Sequence, residues 1–435
     1  MDSQTIENQV EDKNLVATIY IKNGKAVKSR TDMSPAGELL ELAMLYNDSG
    51  IDKIMVLDLS DSDDEHERNI RAIRGLNRNL EVKVCAGGNI SRLEDIKKLL
   101  YAGCAQIILN GSKPGTMDLA AEGSERFGKD RLLVSVDTVD FIFKNREKME
   151  AIFHEVILMN PKLLDAVANI SSLPCIVAQD VFDMDEFERI MKCENVRGLC
   201  GAAINETKDD IMKLKYELAM RDVKMDNFNP ELNWSDMKLN SDGLVPVVTQ
   251  DYKTNQVLMV AYMNEESFLH TIISGKMTYY SRSRQKLWLK GEESGHFQYV
   301  KSLTADCDYD TILAKVSQVG NACHTGAYSC FFNTIVAKDY VDKNPLKIFE
   351  SLYNVVLDRK ENPKAGSYTN YLFDKGIDKM LKKLGEESTE VVIAAKNPDT
   401  DELKYEMCDY LYHLTVLMVE KGITWEDIVS ELSQR

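Results

Sequence analysis

The stretch Val82–Leu109 reads VKVCAGGNISRLEDIKKLLYAGCAQIIL. It opens on a short apolar run, Val82–Cys85, turns through Gly87-Gly88-Asn89, continues as an amphipathic stretch, Leu93–Tyr101, and ends on a second apolar run, Gln106–Leu109. Short β-rich runs bounded by glycines read as buried strands, and the longer amphipathic segment between them reads as a helix. The same unit recurs on both sides. Runs at Leu15–Ile21, Lys53–Leu57, Leu132–Val136, Glu155–Met159, Cys175–Val177 and Val196–Leu199 bring the candidate strands to eight, with helical patterns such as Pro35–Tyr46 between them. Eight βα alternations within roughly 200 to 250 residues predict an N-terminal (β/α)8 barrel. A doubly wound open sheet is the competing arrangement.

The chain of 435 residues exceeds one ordinary core, and three domains are expected, at 1–228, 229–343 and 344–435. The first fourteen residues are polar and acidic and read as a loose leader. Asp222–Asp242 is rich in Asn and Asp, holds Pro230 and reads as a linker. From Leu244 to about Val341 the runs Val245–Val248, Val257–Tyr262 and Thr278–Ser281 alternate with turn residues such as Ser274-Gly275 and Gly291, which predicts a compact α+β domain. After Asn344-Pro345 the pattern is helical: Leu346–Leu357, Gly376–Lys396, Asp401–Glu420 and Trp425–Gln434. So small an all-α bundle buries little by itself, and packing against a second copy, as a homodimer, is expected.

A content of 44% hydrophobic and 28% charged residues is that of a globular chain, and a cytoplasmic location is the default expectation in the absence of a long apolar run. The net charge of −17 argues against a general nucleic-acid or anionic-membrane binder, because neutralising phosphates takes a surplus of Lys and Arg. Nine cysteines without a secretory signal point to reduced thiols, some of them metal ligands.

The densest chemistry lies in Asp306-Cys307-Asp308-Tyr309-Asp310, then Gly320-Asn321-Ala322-Cys323-His324-Thr325-Gly326, then Ser329-Cys330-Phe331-Phe332. Thiolates at Cys307, Cys323 and Cys330 suit zinc, and three ligands leave a position open for water. If Asp306–Asp310 is extended, Asp306, Asp308 and Asp310 share one face, and hard carboxylates suit magnesium. Buried small cysteines or a closed structural zinc are the alternatives; no obvious fourth thiol favours the latter. A second patch, Tyr279 to Arg284 followed by Leu287 to His296, collects Arg282, Arg284 and Lys290 with Ser and Gly in an otherwise acidic chain. It suits phosphate and ribose, with a solvated basic edge as the plain alternative.

The ordered blocks SRSR, LWLKGEESGH, DCDYD and ACHTGAYSCFF, within Leu232–Lys338, closely resemble phosphoribosyl-AMP cyclohydrolase. The resemblance implies zinc on Cys307, Cys323 and Cys330, magnesium on Asp306, Asp308 and Asp310, and hydrolytic opening of the adenine ring between N1 and C6. Zinc lowers the pKa of bound water towards about 7, which suits attack on an electrophilic carbon near neutral pH. His324 is the first candidate for proton transfer and His296 the second. Arg282, Trp288 and Lys290 are candidate substrate contacts.

In the last domain Glu386 and Glu390 are i and i+4, and Glu406 and Asp409 are i and i+3, so two helices each present carboxylates along one face. A solvated acidic face is the alternative for either set alone; the pairing favours a cation site. Leu352–Glu420, with its Asp358-Arg359-Lys360 and Ser367-Tyr368-Thr369 blocks, resembles phosphoribosyl-ATP pyrophosphohydrolase. That implies magnesium on Glu387, Glu390, Glu406 and Asp409 with Glu386 nearby, cleavage between the α and β phosphates, and phosphate contacts from Arg359, Lys379 and Lys383. The two resemblances together imply activities that act consecutively on a phosphoribosyl nucleotide in histidine biosynthesis.

The N-terminal region resembles, more distantly, the isomerase and cyclase barrels of the same pathway, through Ile21–Lys28, the Ala86-Gly87-Gly88-Asn89-Ile90 loop and Val134-Ser135-Val136-Asp137. Tyr20 stands where those barrels carry an acid/base aspartate, and Ala178-Gln179-Asp180-Val181 replaces their later glycine pair. A catalytically degenerate barrel is expected, with a third, isomerase activity as the alternative.

Overall fold

The computed structural model describes residues 12–168, 171–339, 345–398 and 400–433. Most of the expected leader therefore lies outside the described residues. Lys13 and Asn14 do not behave as leader: the Lys13 ammonium donates to the Val196 carbonyl at 2.5 Å, and Asn14 opens the first strand.

All eight expected strands form: Asn14–Lys22, Lys53–Asp58, Lys83–Gly87, Gln106–Asn110, Leu132–Val136, Glu155–Leu158, Cys175–Ala178 and Val196–Cys200. Each pairs in parallel with the next, and the last returns to the first through Asn14↔Gly198 and Leu15↔Leu199, which closes a barrel and excludes the open sheet. Alternation along the strands splits the apolar residues in two. One set, including Val16, Met55, Leu57, Cys85, Ile108, Leu133, Ile157, Ile176 and Cys200, forms its own buried cluster, while Ala17, Ile19, Ile54, Val56 and their counterparts join the helices in a larger core.

The helix expected from Pro35 begins at Leu39; Pro35–Gly37 is a short strand paired with Lys25–Val27. Proline lacks the N–H that a helix interior needs, and Gly37 at φ 120° is not helical. The glycine pair after the third strand is required by packing. Gly88 has φ 87°, and a Cβ there would lie 2.1 Å from the Asp58 carbonyl oxygen.

The second region holds a four-stranded sheet in the order Val257–Met263, Val245–Asp251, Ile312–Gln318, Gln298–Ala305, with the hairpin Thr278–Ser281/Lys286–Leu289 and the helix Glu265–Ser274. Its core includes Val245, Val247, Leu258, Met263, Tyr279 and Val316. The expected linker is irregular but packed: Phe228, Trp234 and Met237 lie against that core, and Trp234 meets Phe268 at 5.4 Å between ring centroids. Barrel and sheet belong to one compact unit that ends at Thr334. Their junction uses loops at the N-terminal ends of the barrel strands. Glu81 accepts from the Tyr252 hydroxyl (2.5 Å) and the Lys301 ammonium (2.7 Å), and Asp48 accepts from Ser317 (3.1 Å). Met212 lies close to both Gly50 and Gly275; a Cβ on either glycine would come within 3 Å of its side chain.

The second compact unit is helical, with helices Pro345–Glu361, Tyr368–Lys375, Ile377–Ala394, Thr400–Lys421 and Trp425–Ser433 around Val356, Leu372, Met380, Val416 and Val419. Tyr368–Lys375 is a helix the apolar pattern did not announce; the Ser367 hydroxyl caps it by accepting from the Asn370 N–H. The multidomain layout of barrel, strand-rich region and all-α region is as expected. The boundary placed at 343–344 lies outside the described residues.

Candidate functional site

Asp306–Asp310 is a turn, not a strand. The strand Gln298–Ala305 ends just before it and Ile312–Gln318 begins just after. Asp306 closes the turn: its carboxylate accepts from the amides of Asp310 (3.0 Å) and Thr311 (3.2 Å), while Tyr309 takes a left-handed φ of 63°. Alternation along a strand therefore does not align these carboxylates; the curl of the turn does. Asp306, Asp308 and Asp310 still bring one oxygen each within 4.8 Å of one another, all three exposed. Desolvation pushes the Asp306 pKa up, but the Thr311 and Asp310 amides outweigh it and hold the carboxyl below the usual range. Such a set of ionised oxygens has the chemistry a hard divalent cation takes.

Cys323 and Cys330 come together because the chain between them folds back on itself. The Cys323 N–H donates to the Ala327 carbonyl (3.1 Å) and the Ala322 N–H to the Tyr328 carbonyl (3.2 Å), while the Cys330 N–H anchors on the Leu258 carbonyl (2.7 Å). The Thr325 hydroxyl, 3.1 Å from its sulfur, is the main cause holding the Cys323 thiol below its usual pKa, with Cys330 and the Lys290 charge helping. Desolvation, then Cys323, pushes Cys330 up. Cys323 and Cys330 lie close enough for each to shift the other's pKa, and two neighbouring thiols suit a soft cation. Cys307 stands exposed on the aspartate turn, and the three sulfurs do not all lie within 4.8 Å of one another.

The neighbouring candidates divide. Lys290 is buried, donates to the His296 carbonyl (3.4 Å), and has its pKa lowered by desolvation against the pull of Cys330 and Cys323; it sits beside the thiols. Trp288 is half-buried against Tyr279 at 5.6 Å, so it packs on the core. The Arg282 guanidinium lies over the Tyr262 ring at 3.9 Å. His296 is the more firmly held histidine: its Nδ1 faces the Asn321 carbonyl at 3.0 Å and its ring packs on Gly320. A carbonyl only accepts, so Nδ1 is the donor in this contact. His324 is exposed.

In the helical unit, Glu387, Glu390 and Glu406 bring one oxygen each within 4.8 Å. Glu387 is buried; desolvation and then Glu387 itself push Glu390 upward, as expected for carboxylates crowded without a counter-ion. Glu386 turns away to Lys383 (3.0 Å) and Lys382 (3.6 Å), and Lys383 is its main reason for lying below the usual range. Asp409 is exposed and outside that group of oxygens. Lys383 also reaches Glu387 at 3.4 Å, and Arg359 pairs with Asp358 at 2.6 Å. Lys379 lies near enough to Glu386 to add a weaker electrostatic pull. His413, which the sequence reading missed, lies 3.6 Å from Glu387. It is i+7 from Glu406 and i+4 from Asp409, a spacing that could have found it.

At the barrel mouth Tyr20 is half-buried; desolvation is the main cause raising its phenol above the ordinary value, partly offset by the Arg30 charge. Asp137 and Asp180 are exposed, and Asp137 edges a cleft with Gly111, Ser112, Lys144 and Asn145.

Fold and sites together define a multidomain protein with two acidic clusters, one in each compact unit, and a barrel with Tyr20 on its first strand. Comparison with known proteins makes this particular. Family models match for phosphoribosyl-AMP cyclohydrolase over residues 259–332, phosphoribosyl-ATP pyrophosphohydrolase over 349–435 and histidine biosynthesis protein over 14–193. The histidine biosynthesis bifunctional protein HisIE of Thermoanaerobacter pseudethanolicus is 54% identical over 209 residues, covering 45% of this chain and 97% of the relative. The proteins of that name from Lactococcus lactis (53%; 44% of this chain, 88% of the relative) and Bacillus subtilis (46%; 46% and 95%) are also similar. The chain belongs to the HisIE family of bifunctional histidine biosynthesis proteins, here joined to an N-terminal barrel. It is an enzyme with cyclohydrolase and pyrophosphohydrolase domains.

Proposed function

We propose that the helical domain, 344–435, hydrolyses phosphoribosyl-ATP to phosphoribosyl-AMP and pyrophosphate, and that the domain 229–343 then opens the adenine ring of phosphoribosyl-AMP. The convergence of Glu387, Glu390 and Glu406 carries the first half of this reading. These carboxylates, with Asp409 at their edge, would hold magnesium, which supplies charge against the developing pyrophosphate. Lys383, Lys379 and Arg359 are the cations on hand for the substrate's phosphates.

For ring opening, the paired Cys323 and Cys330 fit zinc, with Cys307 as the third thiolate, and Asp306, Asp308 and Asp310 fit magnesium. Zinc there supplies Lewis acidity and acidifies water near neutral pH. His296, whose Nδ1–H donates to the Asn321 carbonyl, offers Nε2 as a proton acceptor in its neutral form, with exposed His324 as the other candidate for proton transfer. Arg282 and Lys290 place positive charge near the substrate's phosphates.

The barrel, 1–228, is read as non-catalytic, since Tyr20 replaces the first-strand carboxylate; an isomerase activity on the ring-opened product is the second reading, favoured only by the surviving Asp137. Among the described residues no helix is long and apolar enough to cross a membrane, consistent with a cytoplasmic enzyme acting on small nucleotides. Exposed Val392, Ile393, Val429 and Leu432 on the helical unit favour a homodimer. Mass spectrometry of products from phosphoribosyl-ATP, with the metals supplied and then chelated, tests the whole reading. Metal-independent turnover, or no pyrophosphate, overturns it.

A further inference from the structure

We propose that His413 is a positioning residue of the pyrophosphohydrolase centre, holding the Glu387 carboxylate in the orientation that lets it meet Glu390 and Glu406 at one cation. The proposal rests on reading those three glutamates as the magnesium site. Glu387 is the buried member of the three, 5% exposed, and a buried carboxylate needs partners that fix it. Two groups approach the same oxygen, Oε1: the Lys383 ammonium at 3.4 Å and His413 Nε2 at 3.6 Å. Lys383 is divided, because its shorter contact goes to Glu386 at 3.0 Å. Among the described residues the Nδ1 of His413 is buried without a hydrogen-bond partner, and its Nε2 faces Glu387.

The ring is held by its surroundings. Tyr368 and Tyr412 meet it edge-on, with centroids at 5.8 and 5.1 Å, and the Tyr412 hydroxyl is tied to Thr369 at 2.8 Å. A carboxylate only accepts, so donation from this ring to Glu387 requires the proton on Nε2. The contact at 3.6 Å is longer than a hydrogen bond. Groups of this kind behind a metal ligand alter metal affinity by about 10- to 100-fold when lost.

The test uses the full chain in an Asp306→Asn/Asp308→Asn background, which removes the other acidic cluster. Metal-stripped protein is titrated with Mn2+ by calorimetry, and pyrophosphate release is followed against Mg2+ concentration. His413→Phe keeps an aromatic ring between the tyrosines and loses the donor; His413→Gln keeps a donor. The expected result is Mn2+ binding weakened about tenfold in His413→Phe, with half-saturating Mg2+ raised in parallel, and both largely restored in His413→Gln. Unchanged Mn2+ binding in a folded His413→Phe, or equal loss in both variants, overturns the positioning role. Should His413→Phe not fold, wild-type affinity in His413→Gln supports the role and loss there overturns it. Glu387→Gln is titrated alongside. If it binds Mn2+ like the parent, the magnesium-site reading itself has failed.

Discussion

The Lys301 ammonium lies 2.7 Å from the Glu81 carboxylate, joining a strand of the cyclohydrolase sheet to the loop that enters the third barrel strand. The same carboxylate accepts from Tyr252 at 2.5 Å, so one barrel residue holds two strands' worth of a neighbouring domain. Contacts at this end leave the C-terminal ends of the barrel strands, where barrels of this kind carry their chemistry, clear of the junction.

A double-mutant cycle of Glu81→Ala and Lys301→Ala should therefore give a positive coupling energy in urea unfolding. Both side chains are partly exposed (50% and 24%), so screening limits the coupling to about 1 kcal/mol or less. Desolvation raises the Glu81 pKa, but Lys301 and Tyr252 outweigh it and depress it in the folded state. A depressed carboxyl contributes stability that is fully present above its unfolded pKa, about 4.3, and is lost as pH falls through the folded value. The coupling should accordingly persist at pH 7 and fade only as pH falls below the ordinary carboxylate range, through the depressed folded pKa. Zero coupling at neutral pH would argue that the junction does not form as described.

Cys323→Ser should abolish ring opening and spare pyrophosphate release, so that phosphoribosyl-AMP accumulates. The acidified thiol is lost from the Cys323–Cys330 pair, while the glutamate centre lies in the other compact unit. Both products can be followed in one chromatographic assay. Normal ring opening by the mutant in the presence of a zinc chelator would remove the cysteines from the mechanism.

The barrel was legible because its signal is repeated: eight apolar runs, each short enough to be a strand, leave few topologies that bury them. The convergence of the acidic side chains was legible for a different reason, since it follows from their spacing along short stretches of chain. Local backbone was harder. Asp306–Asp310 alternates like a strand, yet local hydrogen bonds from the Asp310 and Thr311 amides to the Asp306 carboxylate curl it into a turn. Phe228, Trp234 and Met237 read as linker because irregular chain buries its apolar residues without a period. That Cys307 stands apart from Cys323 and Cys330, and that Lys290 sits against them, depends on how distant loops return, which spacing does not encode.

Glu387→Gln should stop pyrophosphate release nearly completely, while Asp409→Asn should weaken it less, although the sequence ranks the two alike. Glu387 is buried within the converging oxygens and Asp409 is exposed outside them. Conversion of added phosphoribosyl-AMP should be unaffected in both. Rates from the two mutants at saturating Mg2+ settle the order, and a more severe Asp409→Asn would mean that the centre rearranges when metal binds.

The barrel should neither isomerise the ring-opened product nor carry out a later cyclisation. Both resembling reactions need an acid/base group at the end of the first strand, and here that group is a phenol. An ordinary phenol ionises near 10 and a carboxylate near 4. Desolvation raises Tyr20 further, and the Arg30 charge only partly offsets this, so at pH 7 it is protonated and cannot serve as the base. Asp137 remains at the end of the fifth strand, but it is exposed at the edge of a cleft with Lys144, and Asp180 adds negative charge where the resembling barrels have a glycine pair for phosphate. Loss of one partner of an acid/base pair commonly costs several powers of ten in rate, and poor anchorage of the second phosphate adds to it. The full chain incubated with the ring-opened product should return it unchanged over hours by mass spectrometry. Turnover that disappears in Asp137→Asn, with both hydrolase activities intact, would instead establish the barrel as a third working enzyme.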